Sequence, residues 1–420
     1  MEKKLSVSVV LFLLFVIVFV GFMLKAEASN ITALREEYPE LKEEAFSYRM
    51  DAFKIWAVRM LLSFLIPFLI LYSGLAQKLS LSVGKGSSLF LSGLLFGLTY
   101  FALVYIINLP LSFYSSFILR HKYGLTDQTV WRWLELSLKG FLLNNGLMAL
   151  FIWFPYWLIR NWPESWWWKA GLAAIPIIII MVFVTPLVID PIFSKYTPLK
   201  EGELRNGIQQ MLDKGGIENA EIYVVDKSRD TKTMNAYMTG IMSSKRIVLW
   251  DTTVNNLSDD EILSITAHEM GHYVKNHIWK SIGAGIVGAF LILYLVHISS
   301  LWILKASGGA FGFKNMGNLA SLPLLLLMLS VFSWLGQPAS NAVSRYFERE
   351  ADLYEISMTQ DREAAVSAME KLYETSLGLP RPSEFYKFWY HTHPTLEERI
   401  EFYTTHKLDE TGFWPVSYFE

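Results

Sequence analysis

The sequence predicts a mainly α-helical, polytopic membrane protein with seven transmembrane helices and a small α+β domain. Composition is the first observation behind this fold class, because the 420 residues are 52% hydrophobic and only 18% charged, as is typical of membrane proteins. The second is the recurrence of apolar runs long enough to cross a hydrocarbon core of about 30 Å. These runs lie near residues 5–24, 56–75, 88–113, 141–159, 167–189, 281–304 and 319–336.

The first apolar run has an alternative interpretation. "MEKK", the run itself and "AEA" at Ala26 to Ala28 form the pattern of a signal peptide with a cleavage site. However, the run from Leu5 to Leu24 is longer than the roughly 7 to 15 apolar residues of a signal core. We therefore expect a retained first helix.

Two polar stretches follow the fifth and seventh spans. With seven helices, both emerge on the same side of the bilayer, so they can combine into one polar domain. We therefore expect four segments along the chain. These are 1–189 with five transmembrane helices, 190–280 as the first part of the polar domain, 281–336 with two more helices, and 337–420 as its second part and tail.

The first polar stretch has both helical and extended patterns. "LKEGELRNGIQQMLDKGG" (199–216) predicts an amphipathic helix, while "AEIYVVD" (220–226) and "KRIVLWDT" (245–252) predict strands. "MNAYMTGIMSS" is expected to join the strands through a turn around Gly240. A further helix is predicted after Ser258, because Glu261 has the spacing of a capping box.

Charge and cysteine content exclude several function classes. The formal net charge is −2, so no overall basic field would attract nucleic acid, and we expect no nucleic-acid partner. The chain has no cysteine, which excludes disulfides, thiolate metal sites and a thiol nucleophile.

The stretch "AHEMGHYVKNH" (267–277) predicts a metal site on a helix. His268 and His272 are four residues apart, so they share a helix face and can hold one ion. Glu269 can take a proton from a water molecule whose pKa the metal lowers from about 15.7 to about 7. The alternative is a polar helix end beside the membrane, but the helix cap and the preceding strand favour the metal site.

A third protein ligand is needed. A histidine six residues after His272 would supply it in a metzincin, but that position is Ile278, and the nearby His277 is expected to lie off the shared face. A carboxylate from a later helix is the other route.

"NAVSRYFEREADLYEIS" (341–357) offers such carboxylates. Glu348 and Asp352, four residues apart, share a face and suit a ligand and an acid that orients a histidine. Glu350 is expected to point elsewhere. An ordinary solvated face with i to i+4 ion pairs is the competing interpretation, and the upstream histidine motif favours the metal site.

The sequence resembles the type I CAAX prenyl protease family of integral-membrane zinc metalloproteases. The resemblance rests on "NAYMTG", "KRIVLWDTTV", "HEMGH", "SRYFEREAD" and "HPTLEERI". It extends to "RHKYGLTDQTVWRWL" (120–134) and "PIFSKYTPLKEGEL" (191–204), so nearly the whole chain is covered. It implies that the seven helices enclose a large water-filled chamber and that a zinc metalloprotease domain, formed by the two polar stretches, caps one end.

The resemblance also implies roles for the matching residues. One Zn²⁺ per chain would be bound by His268, His272 and Glu348. Glu269 resembles the general base, and Asp352 resembles the acid behind a zinc histidine. Two further sets follow: His393 and Arg399 as catalytic residues that steady the oxyanion and orient the site, and Asn235, Ala236 and Tyr237 as substrate-binding residues. The residue types alone do not distinguish His393 from His391.

These observations indicate a zinc-dependent membrane endopeptidase for CAAX-like processing or membrane-protein quality control. We expect a monomer in a lipid bilayer that acts on a peptide or protein, with membrane-associated and lipidated substrates among the candidates. A seven-helix zinc transporter would place its ligands near mid-membrane, whereas these residues lie outside the apolar runs. A catalytically inactive protease-like scaffold is the other alternative, although every expected catalytic residue is present.

Location is predicted from the loops and the C-terminus. The short segment 305–318 and the ending "VSYFE", without a dibasic retrieval signal, favour a prokaryotic cytoplasmic membrane over the endoplasmic reticulum membrane of a eukaryote. Basic residues in the first and third loops have a slight bias that places the zinc domain on the cytoplasmic side, as the resemblance also implies.

Overall fold

A computed structural model of the protein describes residues 2–84, 87–240 and 244–406, with side chains from residue 9 onward. Residues 407–420 of the predicted 337–420 segment therefore lie outside the described residues. Within the described part, seven helices are long and apolar enough to span a membrane, which confirms the predicted number. They are Val9–Glu37, Glu43–Tyr72, Leu89–Lys122, Val130–Asn161, Trp166–Phe193, His277–Ala306 and Leu319–Thr359.

The N-terminal half contains the first five of these spans. Three of them contain a π-helical segment, at Tyr114–Ile118, Phe141–Gly146 and Thr185–Ile189. The α-helices are α1 (Glu2–Glu37), α2 (Glu43–Tyr72), α3 (Leu75–Gly84), α4 (Leu89–Phe113), α5 (Leu119–Lys122), α6 (Val130–Gly140), α7 (Leu147–Phe151), α8 (Trp153–Asn161), α9 (Trp166–Val184) and α10 (Asp190–Phe193).

The C-terminal half contains the sheet, two spans and the remaining helices. The strands are β1 (Tyr196–Pro198), β2 (Glu221–Val225), β3 (Ala236–Thr239) and β4 (Arg246–Trp250). The helices are α11 (Glu203–Lys214), α12 (Asp251–Asn256), α13 (Asp259–Val274), α14 (His277–Ala306), α15 (Leu322–Thr359), α16 (Arg362–Thr375), α17 (Glu384–Tyr390) and α18 (Leu396–Thr405).

The four strands form one sheet in the order β1-β2-β4-β3. β2 and β4 are parallel, with Glu221 opposite Arg246, and β3 is antiparallel to β4, with Ala236 opposite Leu249. The expectation that "MNAYMTGIMSS" is only a turn-bearing connection is therefore wrong, because its first half is an edge strand. The turn at Gly240 is present: φ is +88°, and a Cβ there would lie 2.1 Å from the Ser244 carbonyl oxygen.

The two polar stretches share one hydrophobic core. Ile208 and Leu249 from the first stretch pack in the same cluster as Ile356 and Tyr403 from the second. Helices α13 and α15 approach closely at Gly271, where a Cβ would lie 3.1 Å from the Ala351 Cα. Both stretches therefore belong to one domain at one end of the bundle, and the predicted fold class is confirmed.

Helix α15 connects the membrane to this domain. It has 38 residues, which at about 1.5 Å per residue is roughly 57 Å, so one continuous helix contains both a span and the acidic string. Helix α1 is tied to the same domain at Glu27, which is fully buried. The Glu27 carboxylate accepts hydrogen bonds from Arg49 Nε at 2.6 Å and from the Ser383 N–H at 3.0 Å.

Candidate metal centre

Helix α13 begins at the predicted capping box. The Ser258 side chain accepts the Glu261 N–H, and the Glu261 carboxylate accepts the Ser258 N–H. From this start the helix continues through His268 and His272, whose rings lie 4.9 Å apart between centroids. The helix therefore presents both imidazoles to the same region, where α15 crosses it.

Three donor atoms converge at this crossing. His268 Nε2 lies 3.2 Å from His272 Nε2 and 3.3 Å from Glu348 Oε2, and His272 Nε2 lies 3.5 Å from Glu348 Oε1. Tetrahedral Zn²⁺ with bonds of about 2.0–2.1 Å has ligand atoms about 3.3 Å apart. Glu348 Oε2 is also buried without a hydrogen-bond partner among the described residues. The three side chains thus fit one divalent cation.

A second group of possible metal ligands lies on the other side of His268. His268 Nδ1 is 3.0 Å from Asp352 Oδ1 and 3.5 Å from Glu355 Oε2. Here a cation is already present in the chain, because Arg399 donates to Asp352 and its Nη2 lies 3.3 Å from His268 Nδ1. Tyr403 donates to both carboxylates. The Arg399 guanidinium thus supplies the positive charge in this cluster, whose carboxylates contact His268.

The electrostatics of the two histidines differ. Burial lowers the pKa of His268, but the neighbouring carboxylates of Asp352, Glu348 and Glu355 raise it well above its usual range. Burial lowers the pKa of His272 to about 3, which favours the neutral imidazole that metals bind. The site as a whole is thus a carboxylate-rich environment that favours a cation.

His272 has its own supporting residues. Asn276 adopts a left-handed conformation, with φ of 58°, between α13 and α14. This turn brings His277 Nδ1 to 2.9 Å from His272 Nδ1 and His277 Nε2 to 3.1 Å from Glu350 Oε2. The His277 ring is buried and stacks on Phe347 with centroids 4.4 Å apart.

The structure agrees with the expectation that His277 lies off the shared face and that Glu350 points elsewhere, because neither residue reaches the three donor atoms. The sequence did not indicate that His277 contacts His272 and that Glu350 contacts His277. The prediction extended the helical phase of α13 through Asn276, where the chain in fact turns. The pair of histidines five residues apart was the only signal in the sequence that could have suggested this contact.

Glu269 lies beside the donor atoms on the wall of a cavity of about 890 Å³. Its carboxylate keeps partial exposure to the cavity and accepts the backbone N–H of Met238 in β3. Burial raises the pKa of Glu269 to about 7. A carboxyl group with this pKa can both accept and donate a proton near neutral pH.

The cavity brings together most of the predicted site residues. Asn235 and Ala236 form one wall and His393 another, with the His393 Nε2 3.4 Å from Glu348 Oε1. His391 does not line the cavity, so the structure distinguishes the two histidines. The cavity continues between the membrane helices, where its lining is mainly apolar. Ile178 and Val182 of α9 and Ile278 and Ile282 of α14 line it, together with the hydroxyl-bearing Ser281.

Two predicted site residues have other positions. The Tyr237 side chain does not line the cavity, and its hydroxyl pairs with that of Tyr196 at 2.9 Å. The side chain points away from the cavity because successive residues of a strand point to opposite faces, so the predicted substrate contact of Tyr237 stays a prediction for its backbone. Arg399 reaches the cavity edge, but Asp352 and Tyr403 bind its Nη2 behind His268. It is thus a positioning residue.

Comparison with known proteins agrees with this geometry. Residues 198–406 match the model of peptidase family M48, and residues 32–195 match the five membrane helices of the CAAX prenyl protease N-terminal family. The chain is 34% identical to the uncharacterized metalloprotease YhfN of Bacillus subtilis, over 81% of this chain and 80% of that protein. The chain belongs to peptidase family M48. The predicted family is thereby confirmed.

Two further relatives extend the M48 comparison. CAAX prenyl protease 1 of Saccharomyces cerevisiae is 30% identical, over 70% of this chain and 68% of its own length. The crystal structure of S. mikatae Ste24p has a TM-score of 0.81 and 25% identity, covering 93% of this chain and 98% of that chain.

The M48 membership makes this protein a multi-pass membrane metalloendopeptidase with a metal cofactor and a peptide or protein substrate. It also favours the enzyme over the transporter that the sequence left open. The helices that present the donor atoms contribute Ile265, Met270 and Ile356 to the core shared by the two polar stretches. The enzyme prediction is confirmed.

Proposed function

We propose that this M48 peptidase uses Zn²⁺ to hydrolyse a peptide bond of a membrane-associated polypeptide, and that it processes a CAAX-type C-terminus. One observation supports the zinc chemistry above all. Three donor atoms 3.2–3.5 Å apart lie beside a carboxylate whose pKa is about 7, on one cavity wall. The ligand set is His268, His272 and Glu348, with one ion per chain.

The substrate class is proposed from the relatives and the cavity lining. Several similar proteins are named CAAX prenyl protease 1. The cavity here extends past the donor atoms into apolar residues of α9 and α14, which suits an apolar group attached to the peptide. Quality control of other membrane proteins is the competing role, and it would not require this apolar extension.

The chain's residues supply binding and proton transfer. Strand β3 is a sheet edge that faces the cavity through Ala236 and Met238, and Asn235 precedes it on the same wall, so an extended substrate can pair with the strand backbone. Bound Zn²⁺ would polarise the scissile carbonyl and lower the pKa of water to about 7. Glu269 takes the proton from the attacking water and passes it to the leaving amine. His393 donates a hydrogen bond to the developing oxyanion.

The variant Glu269→Gln tests this mechanism. Because the amide removes the base but none of the three ligands, turnover should fall by about 10²–10⁴-fold while zinc stays near one per chain. Turnover of a quenched peptide with and without a prenylated CAAX end, together with metal analysis of purified protein, measures both quantities. Glu370→Gln, at an exposed glutamate of α16, is the matched control. Retained turnover in Glu269→Gln would exclude the proposed base.

We also propose that the metalloprotease domain lies on the cytoplasmic side. No native cysteine is present, so single cysteines label cleanly. Ser82→Cys in α3 and Asn255→Cys in α12 are both at exposed positions at opposite ends of the bundle. In intact cells an impermeant maleimide should label only Ser82→Cys. Labelling of Asn255→Cys instead would reverse the orientation.

A further inference from the structure

A second cavity, of about 850 Å³, lies at the end of the bundle opposite the metal donors. The ends of α8 and α14, the first turn of α9 and the segment 308–317 form its walls. Its volume is that of a site for a small organic ligand. The catalytic cavity shares none of its lining residues.

Three cations line this cavity: Arg160, Lys305 and Lys314. No carboxylate lines it, and none of the three has an ion pair with another described residue. Arg160 Nε donates to the Gly317 carbonyl at 2.9 Å, which fixes the guanidinium and leaves its terminal N–H groups free to bind an anion. A planar guanidinium with two ammonium groups suits the oxygens of a phosphate.

The whole end of the bundle shares this charge. Segments 73–88, 160–169 and 305–318 contain a single acidic residue, Glu164. Their basic residues are Lys78, Lys85, Arg160, Lys169, Lys305 and Lys314, of which Lys85 lies outside the described part of the chain. Such an excess of basic over acidic residues attracts anionic surfaces.

Tryptophan residues indicate that this cavity lies at the level of the lipid headgroups. Trp157, Trp162, Trp166 and Trp168 gather at this end of the helices, as aromatic residues do at lipid headgroups. Trp166 lines the cavity, and its indole N–H donates to His297 Nδ1 at 3.0 Å, which fixes the wall.

Apolar surface continues from the cavity along α14. Leu301 lines the cavity and is 41% exposed, and the adjacent Trp302 is 59% exposed. A ligand here would therefore meet cations at one end and a hydrocarbon-facing surface at the other. This is the combination that an anionic amphiphile requires.

We propose that this cavity binds an anionic phospholipid, with its phosphate between Arg160, Lys305 and Lys314 and an acyl chain along Leu301 and Trp302. The site is separate from the peptidase centre and does not depend on the identity of the cleaved peptide. It provides a fixed lipid contact at the end of α14, the helix whose other end contacts His272.

Native mass spectrometry of the purified full chain tests the proposal with dioctanoyl phosphatidylglycerol and dioctanoyl phosphatidylcholine as probes. The wild-type protein should bind the phosphatidylglycerol at least about tenfold more tightly than the phosphatidylcholine, which corresponds to about 1.4 kcal/mol. Lys305→Gln with Lys314→Gln should remove most of this preference while keeping the Arg160–Gly317 hydrogen bond. Lys78→Gln with Lys169→Gln, at cations outside the cavity lining, should keep the preference.

Any of three results with the two lipids would overturn the proposal. These are equal retention of the two lipids by the wild-type protein, an unchanged preference in the cavity variant, and equal loss in the control variant. Inorganic phosphate that displaces the lipid at the lipid's own concentration would show a site for free phosphate, and would also overturn it. Unchanged peptide hydrolysis and thermal unfolding in phosphatidylcholine micelles confirm that the variants are folded.

Discussion

His268 and His272 present the same nitrogen to the same carboxylate, yet the protein supports them in different ways. Behind His268, Asp352 contacts Nδ1 directly, in a buried cluster with Arg399 and Tyr403. Behind His272, the contact passes through a second imidazole, His277, before it reaches a carboxylate. One histidine therefore depends on the domain core and the other on the first turn of a membrane helix.

The tautomers explain why both arrangements work. A histidine that binds a metal through Nε2 has its proton on Nδ1 and needs an acceptor there. Asp352 is that acceptor for His268. If His272 binds a metal through Nε2, its acceptor would be Nδ1 of His277, whose own proton would then lie on Nε2 and be donated to Glu350. The comparison shows that a second imidazole can link a carboxylate to a histidine that the carboxylate does not contact directly.

Helix α15 provides the ligand and both supporting carboxylates. Glu348, Glu350 and Asp352 alternate along it. Glu348 and Asp352 share the face toward α13, while Glu350 points toward the start of α14. A two-residue offset on a helix rotates a side chain by about 200°, so one short string contacts two neighbouring helices.

The largest effect is expected for Asp352→Asn. Metal affinity should fall by about 10–100-fold because the neutral amide is a weaker acceptor for the His268 Nδ1–H than the carboxylate. The free energy of unfolding should fall by about 3–5 kcal/mol because buried Arg399 loses its carboxylate. Competition with a zinc chelator and thermal unfolding measure the two losses, and Asp260→Asn, at an exposed position of α13, is the control. A variant with wild-type affinity would show that the direct contact contributes nothing.

The pH dependence of peptide hydrolysis should follow the ionisation of Glu269, which adjoins His268. Burial raises the pKa of Glu269 to about 7, and the base acts as the carboxylate. Activity should therefore be full above this pKa and should fall about tenfold per unit as the pH decreases below it. A bound cation favours the carboxylate, so about 7 is the upper limit for the midpoint. A profile of kcat/KM at saturating zinc that rises as the pH decreases, or whose acid limb has a midpoint clearly above pH 7, would contradict the assignment.

A smaller loss of metal affinity is expected when the residue behind His272 is changed. His277→Phe keeps the ring stacked on Phe347 but removes the acceptor, so metal affinity should fall by about tenfold. His277→Gln has an amide that can accept at one end and donate at the other, so it should restore most of the affinity. Glu350→Gln, which retains an acceptor oxygen, should lose less than His277→Phe. Equal affinities for the Phe and Gln variants would mean that His277 only fills space.

The sequence by itself determined the features that depend on local pattern. Hydropathy predicted the seven spans, because a helix that crosses lipid must be apolar along about 20 residues wherever it packs. Helical spacing placed His268 with His272 and Glu348 with Asp352, and the structure brings these pairs together. The capping box at Ser258 was equally readable, since its hydrogen bonds lie within one turn.

Only the tertiary structure decided the features that depend on how distant segments meet. The turn at Asn276 set the position of His277, packing behind His268 gave Arg399 its positioning role, and pairing with β4 made a strand of residues 236–239. The strand then directed Tyr237 away from the cavity. The lipid cavity likewise exists only where α8, α9 and α14 end together. Periodicity specifies the face of one element, whereas a contact requires the relative placement of two.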